Sequence, residues 1–273
     1  MNIKNLKQMI KLAAFDVDGT LLPNASLKFS DKTKSVFPAL KANGITTVVS
    51  TAREFATIGD FLEQLAPVDY FIGANGAFIW NNKEKNFLYK STLVKEEVID
   101  LYNKFKDQMN GFSVTDFNKV YKSPSLNLDS WFIKPFKHNY HNFEEAMLSR
   151  TDLFVITINC DNTRELSDQI EKYIIENNYE MEISARWTKG FFISPKNITK
   201  SNALEKLAKH LNLTMDNIIA FGDSSNDYEM IRDAGYGVAM ERANDKIKRV
   251  ANDVAIDCEY DGVYWKLKEL KLI

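Results

Sequence analysis

Short apolar runs alternate with amphipathic stretches over the first 75 residues of this 273-residue chain. Residues 11–15 and 45–50 are compact enough to be strands covered on both faces, while 31–43 and 54–65 space their apolar positions as one-sided helices do. The alternation returns near residue 200, with helices predicted at 200–211, 225–234 and 244–251 and strands at 218–221 and 237–239. Strand–helix alternation of this kind predicts an α/β fold whose parallel sheet carries helices on both faces, and the two halves are expected to share one sheet. Between them the texture changes. Residues 78–80 and 87–89 flank Asn81-Asn82-Lys83 as a hairpin, 94–109 form an amphipathic helix, and 152–160, 163–177 and 179–183 are expected as strand, helix and strand. The basic start MNIKNLKQMIK holds only a short apolar stretch and is expected to lead into the first strand rather than to act as a signal peptide.

The polar residues of interest sit where the predicted strands end. Asp16 and Asp18 follow the run Leu12-Ala13-Ala14-Phe15, and on an extended chain both point to the same side while Val17 points back. Two carboxylates that close need a proton or a cation between them. Gly19 permits the sharp exit that follows. A second acidic cluster, Gly222-Asp223-Ser224-Ser225-Asn226-Asp227, ends the strand at 218–221, and Ser224 or Ser225 suits the cap of the next helix. Thr51-Ala52-Arg53 ends the strand at 45–50. Lys200 falls in the first turn of a helix, where the macrodipole opposes a positive charge, so an anionic ligand is the simplest reason for it.

Composition narrows the classes of partner. The chain is 45% hydrophobic and 26% charged with a net charge of −2, which fits a globular protein of one large domain or two. Its lysines and acids are interspersed, unlike a nucleic-acid-binding face or a polybasic membrane anchor. A cytoplasmic protein with no nucleic-acid or membrane partner, monomeric or weakly self-associating, is expected. Cys160 and Cys258 form no redox or metal-ligand pair in sequence and are expected as reduced structural thiols. His138 and His141 have no acid or cysteine nearby to complete a metal set and are expected to be solvated. No G-x-x-x-x-G-K-[ST] loop occurs, which argues against a P-loop nucleoside triphosphatase.

Four segments taken together resemble the haloacid dehalogenase superfamily, and more narrowly its Cof-type phosphatases. DVDGTLL is similar to the family's nucleophile motif, VVSTAR to its hydroxyl motif, ITKSNAL to its lysine motif and FGDSSNDYEMI to its second acidic motif. Further similarity lies at Ile72-Gly73-Ala74-Asn75-Gly76-Ala77, Gly237-Val238-Ala239-Met240 and Asp261-Gly262-Val263. The likeness covers the chain except roughly 83–187. It implies a Rossmann-like catalytic core made of 1–83 and 188–273, with an inserted α+β cap at 84–187 that selects the substrate.

What the resemblance implies chemically is a magnesium-dependent phosphatase acting on a small phosphorylated metabolite, such as a sugar phosphate or a phosphorylated cofactor. Asp16 would be the nucleophile and Asp18 the general acid and base. Thr51, the amides of Ala52 and Val17, Lys200 and Asn226 would hold the phosphate. Asp16, the backbone carbonyl of Asp18 and Asp223 would hold Mg2+, with Ser224 beside it and Asp227 orienting metal waters or Lys200. Asp227 could equally be a helix N-terminal charge, Arg53 the partner of a surface acid, and Asn75-Gly76 only a turn. The aromatic residues Tyr121, Trp131, Phe132, Phe136, Tyr140 and Phe143 are expected mainly as core. A phosphomutase using the same nucleophile, or a non-catalytic phosphometabolite-binding protein, are the alternatives. The chain departs from the family pattern with Ala52 and Ser201 at two glycine positions, and with Glu241-Arg242 where the family has Gly-Asn.

Overall fold

The computed structural model describes residues 3–273, with side chains from residue 5 onward. In chain order its elements begin with α1 (Ile3–Met9), β1 (Leu12–Phe15), α2 (Asp31–Ala42), β2 (Thr46–Ser50), α3 (Phe61–Gln64), β3 (Tyr70–Gly73), β4 (Phe78–Asn81) and β5 (Asn86–Lys90). The middle holds α4 (Lys95–Phe105), β6 (Gly111–Asp116), β7 (Lys119–Lys122), β8 (Tyr140–Asn142), β9 (Leu153–Asn159), α5 (Thr163–Glu176), β10 (Met181–Trp187) and β11 (Gly190–Pro195). The chain closes with α6 (Lys200–His210), β12 (Ile218–Gly222), α7 (Tyr228–Asp233), β13 (Tyr236–Met240), α8 (Asp245–Val250), β14 (Asp253–Ala255) and α9 (Gly262–Glu269). No helix among the described residues is long and apolar enough to cross a membrane.

Two compact units result. The first comprises the chain up to Ala52, Asp60–Tyr89 and Thr199–Ile273; the second comprises Arg53–Gly59 and Lys90–Ile198. The first is built on an eight-stranded sheet in the order β14-β13-β12-β1-β2-β3-β4-β5. The pairs from β14 through β3 are parallel and β4 returns antiparallel to β3. β1 lies at the centre between β2 and β12 and is buried along its whole length, as a parallel strand covered on both faces must be. Leu12, Ala14, Val48, Ile72, Ile218 and Ala220 form one layer of core with Leu204 and Leu207 of α6. This is the α/β core with a shared parallel sheet that the alternating pattern predicts.

The second unit is α+β. Its six-stranded sheet runs β10-β11-β9-β6-β7-β8 and is antiparallel except for β7 beside β8. One face packs on α4 and α5, with Leu101, Phe112, Ile156, Ile170 and Phe191 in the core.

Several local expectations change. The helix expected over 54–65 shrinks to Phe61–Gln64. Gly59 takes φ +57°, and the Thr57 hydroxyl bonds the Glu54 carboxylate, so local side-chain bonding and a left-handed residue displace the helix. The N-terminal lead-in is itself a helix, α1, with residues 1 and 2 outside the described part. The strand expected at 179–183 extends to Trp187 and turns back as β11, a hairpin that the Thr188-Lys189-Gly190 stretch makes possible. Residues 225–227 form a 3₁₀ turn before α7 begins.

Because Ile156 is fully buried in the second unit, Ile156→Ala should lower stability by about 2–5 kcal/mol. A urea titration followed by circular dichroism would read this as a lower midpoint; an unchanged midpoint would contradict the packing described.

Candidate active site

The sheet delivers the motifs to one edge. Phe15 of β1 is in register with Phe221 of β12 and with Val49 of β2, so Asp16, Asp223 and Thr51 leave adjacent strands at nearly the same level. The Asp16 amide still follows the ladder, donating to the Phe221 carbonyl at 3.0 Å. Beyond it the chain curls tightly: the amides of Thr20, Leu21 and Leu22 all donate to the Val17 carbonyl at 2.9–3.2 Å. Gly19 sits at φ +87° in this curl, and a Cβ there would lie 2.3 Å from a carboxylate oxygen of Asp223. Glycine is thus required twice, by the backbone conformation and by the approach of the second acid.

Lys200 opens α6. Thr199 is the N-cap, its hydroxyl accepting from the Asn202 amide at 3.0 Å. The ammonium is completely buried, 2.6 Å from Asp16 Oδ1 and 2.7 Å from Asp227 Oδ1. The other oxygen of Asp227 accepts from the amides of Asp223 and Ser224, each at 3.0 Å. Asp227 is therefore a fully buried hub, holding Lys200 with one oxygen and closing the capping box of the 225–227 turn with the other.

Asp16, Asp223 and Asp227 each offer an oxygen within 4.8 Å of the others. Like charges at about 4 Å cost roughly 4 kcal/mol per pair at an effective dielectric near 20, and three acids make three such pairs. One lysine offsets only part of that. With all groups ionised, three carboxylates and one ammonium leave two negative charges uncompensated. The consequence appears in the acidities. Burial, helped by the charge on Asp227, pushes Asp16 up to about 8 against the pull of Lys200. Burial and Asp227 likewise push Asp223 up to about 6. Lys200 is held above its ordinary range by its two carboxylates, which outweigh its burial.

A divalent cation fits this arrangement. The donors are hard carboxylate oxygens, the missing charge is two, and Asp223 Oδ1 is buried without a hydrogen-bond partner. An orphaned buried carboxylate oxygen is costly unless a ligand completes it.

In the first unit the other sequence-predicted residues follow the same three strands, β1, β2 and β12. Thr51 is buried and Ala52 half-buried at the end of β2, Val17 is buried, and Asp18 is half-buried, bridging in parallel to Leu22. Ser224 is exposed, and its hydroxyl caps the 225–227 turn in a reciprocal box with Asp227, so its side chain serves the turn. Asn226 donates through Nδ2 to Asn75 Oδ1 at 2.8 Å, a contact that the turn reading of Asn75 did not anticipate. In the second unit Arg53 is buried instead of lying at the surface, donating to the Thr57 carbonyl at 2.7 Å with its guanidinium 4.6 Å from the Phe132 ring. His138 and His141 are exposed. Arg242 is paired bidentately with Asp257 at 2.7–2.8 Å, and its charge favours the ionised form of Asp223, opposing the burial that pushes that acid's pKa up. Sequence spacing held no signal for that pair; the parallel register of β13 and β14 creates it.

Residues 13–267 match the family model of the haloacid dehalogenase-like hydrolases, and the chain belongs to that family. It is 29% identical over 264 residues to the 5-amino-6-(5-phospho-D-ribitylamino)uracil phosphatase YcsE of Bacillus subtilis strain 168, covering 96% of each chain. It is 28% identical to an HMP-PP phosphatase of Yersinia pseudotuberculosis, covering 93% of each. A haloacid dehalogenase-like hydrolase from Bacteroides thetaiotaomicron has the same fold, with a TM-score of 0.84 at 22% identity over 96% of this chain and 99% of that one. The enzyme class and the Rossmann-like core with an added α+β unit, both implied by the motifs, are thereby established.

A stability test follows from the acid cluster. In the metal-free protein Asp223 keeps its proton up to about pH 6, against 3.8 in an unfolded chain, so its stabilising share is complete below about pH 4 and is lost as pH rises through 6. Asp223→Asn should therefore melt close to wild type at pH 4 and be more stable at pH 7.5 in chelator, by roughly 1–2 kcal/mol after allowing for partial exposure. Added Mg2+ should raise the melting temperature of the wild type more than that of the variant. Equal melting temperatures at pH 7.5 would contradict the charge imbalance.

Proposed function

We propose that this protein is a magnesium-dependent phosphatase that hydrolyses a small phosphorylated metabolite, a sugar phosphate or a phosphorylated cofactor, through a phosphoryl-aspartate at Asp16. The observation that carries the reading is the buried Lys200 ammonium shared by Asp16 and Asp227, with the orphaned oxygen of Asp223 beside them. The phosphatase names of its relatives, one of them acting on a phosphoribityl compound, support the substrate class.

Asp16, the backbone carbonyl of Asp18 and Asp223 would hold the metal, with Asp227 and Ser224 behind them. When bound, the ion supplies the missing positive charge, which keeps Asp16 ionised and draws the phosphate dianion toward it. Lys200 holds one Asp16 oxygen, fixing the carboxylate plane, and shares in neutralising the phosphate. The Thr51 hydroxyl, the amides of Val17 and Ala52, and Asn226 would bind phosphate oxygens. An Asp16 oxygen attacks phosphorus and the bond to the leaving oxygen breaks, while Asp18 gives that oxygen its proton. Asp18, now a carboxylate, takes a proton from water as the water attacks the phosphoryl-aspartate. Inorganic phosphate leaves and both aspartates return to their starting states. The first unit houses this chemistry, and the choice of substrate is assigned to the second, whose sequence resembles the family least.

Asp16→Asn should abolish phosphate release from any ester while leaving the fold intact, because it keeps the shape and removes the nucleophile. Near-normal turnover in a phosphate-release assay would sink the assignment.

The acid role of Asp18 has its own signature. Asp18→Asn should slow a sugar phosphate, whose alkoxide leaves poorly, by 10²- to 10⁴-fold more than p-nitrophenyl phosphate, which needs no proton to depart. Lys200→Met should depress both esters alike, since both need charge neutralisation. Single-turnover rates for the two esters decide it: equal slowing by Asp18→Asn would make Asp18 a structural or metal-holding residue.

A further inference from the structure

Between β3 and β4 the backbone runs through three consecutive left-handed residues, Ala74 at φ +48°, Asn75 at +58° and Gly76 at +106°. Such conformations are rare outside glycine and asparagine, and strain concentrated at one turn points to a task there. The turn makes three contacts, each to a different segment of the site. The Asn75 amide donates to the Thr51 carbonyl at 3.1 Å. Gly76 lies so close to the start of α6 that a Cβ would meet the Thr199 carbonyl oxygen at 2.3 Å and the Lys200 nitrogen at 3.2 Å. The Asn75 side chain accepts from Asn226 Nδ2 at 2.8 Å.

We infer that Asn75 is a positioning residue for phosphate recognition: its side-chain oxygen sets which way the Asn226 amide faces, and the turn that carries it joins the hydroxyl, lysine and second acidic segments. The inference rests on the reading of Asn226 as a phosphate-binding group. A primary amide has a donor end and an acceptor end of nearly the same shape, and only its hydrogen-bond partners decide between them. The Asn75 oxygen can bond only the donor end of Asn226. One N–H is then occupied, and the second projects at a fixed angle from the same nitrogen as a donor. Were the amide to turn over, a carbonyl oxygen would take that place and repel a phosphate oxygen. The left-handed backbone at Asn75 explains why asparagine stands there. It is the residue besides glycine that best tolerates this conformation, and unlike glycine it brings an acceptor.

Asn75→Gly separates the two duties, since glycine accepts φ +58° without strain and lacks the side chain. Inorganic phosphate is titrated calorimetrically, in the presence of Mg2+, into wild type, Asn75→Gly, Asn226→Ala and the double variant. Both single variants should weaken phosphate binding, Asn75→Gly by roughly 3- to 10-fold, and the double variant should be no weaker than Asn226→Ala alone. Melting temperatures should stay within a few degrees of wild type, which a purely structural role would not allow together with lost binding. If Asn226→Ala weakens binding but Asn75→Gly does not, or if the two losses multiply, Asn75 does not act through Asn226 and the inference falls. Failure of Asn75→Gly to fold would make Asn75 a stability residue and would also overturn it. Unchanged phosphate affinity in Asn226→Ala would instead remove the phosphate reading of Asn226, taking the inference with it.

Discussion

A lysine ammonium buried between two aspartates is the interaction on which the rest of the site depends. Buried ion pairs are poor sources of stability, because removing both charges from water offsets most of their attraction; an apolar trio of the same volume would hold the elements together as well. Here the arrangement is also placed against the helix dipole and is left with an excess of negative charge. The fold nevertheless organises itself around that ammonium. β1 supplies one aspartate, the turn after β12 supplies the other, and α6 supplies the lysine from 184 residues further along the chain than Asp16. Fixing three elements to one point gives the preorganisation that phosphoryl transfer requires of its surroundings.

Close approach of these elements is made possible by the absence of side chains. Gly19 lets the Asp223 carboxylate rest on the curl after β1, Gly222 lets the Asp227 side chain lie over the end of β12, and Gly76 admits the start of α6. A methyl group at any of these would fall within 2.5 Å of a carboxylate group or a backbone oxygen. The acids, the lysine and the glycines are therefore one device. Charges that repel are brought together by backbone that has nothing to interpose.

The parts of this device legible in the sequence were those in which a polar residue directly ends an apolar run, because the register of a parallel sheet turns strand ends into neighbours. Asp16, Thr51 and Asp223 belong to that group, and Lys200 was visible as a charge on the wrong end of a helix. What stayed hidden depends on pairing across the fold. Asn75 looks like any N-G turn until Asn226 is seen against it, and Arg242 looks like an odd substitution until Asp257 is opposite. The stretch at 54–65 carries a helical pattern, but a buried Glu54 bonded by Thr57 and Thr115 competes with it, and that burial is created by strand β6. The alternating core pattern survived translation into structure because each strand is local. Strands β6, β7 and β8 carried no such mark and were not expected, and nothing in the sequence pattern pairs β6 with β9 or β7 with β8.

The interleaving of the two units sets a timetable for synthesis. β1 is made early, yet its partner Ile218–Gly222 comes some two hundred residues later, so the central strand of the catalytic sheet must wait with one edge unpaired. The second unit lies wholly within 53–198 and is complete before α6, β12 and β13 leave the ribosome. In a nascent chain the whole second unit has been synthesised while the sheet of the first still lacks β12, β13 and β14, which leaves one edge of β1 unpaired. Such an edge is open to wrong pairing, and any slowing of translation after residue 198 prolongs that interval.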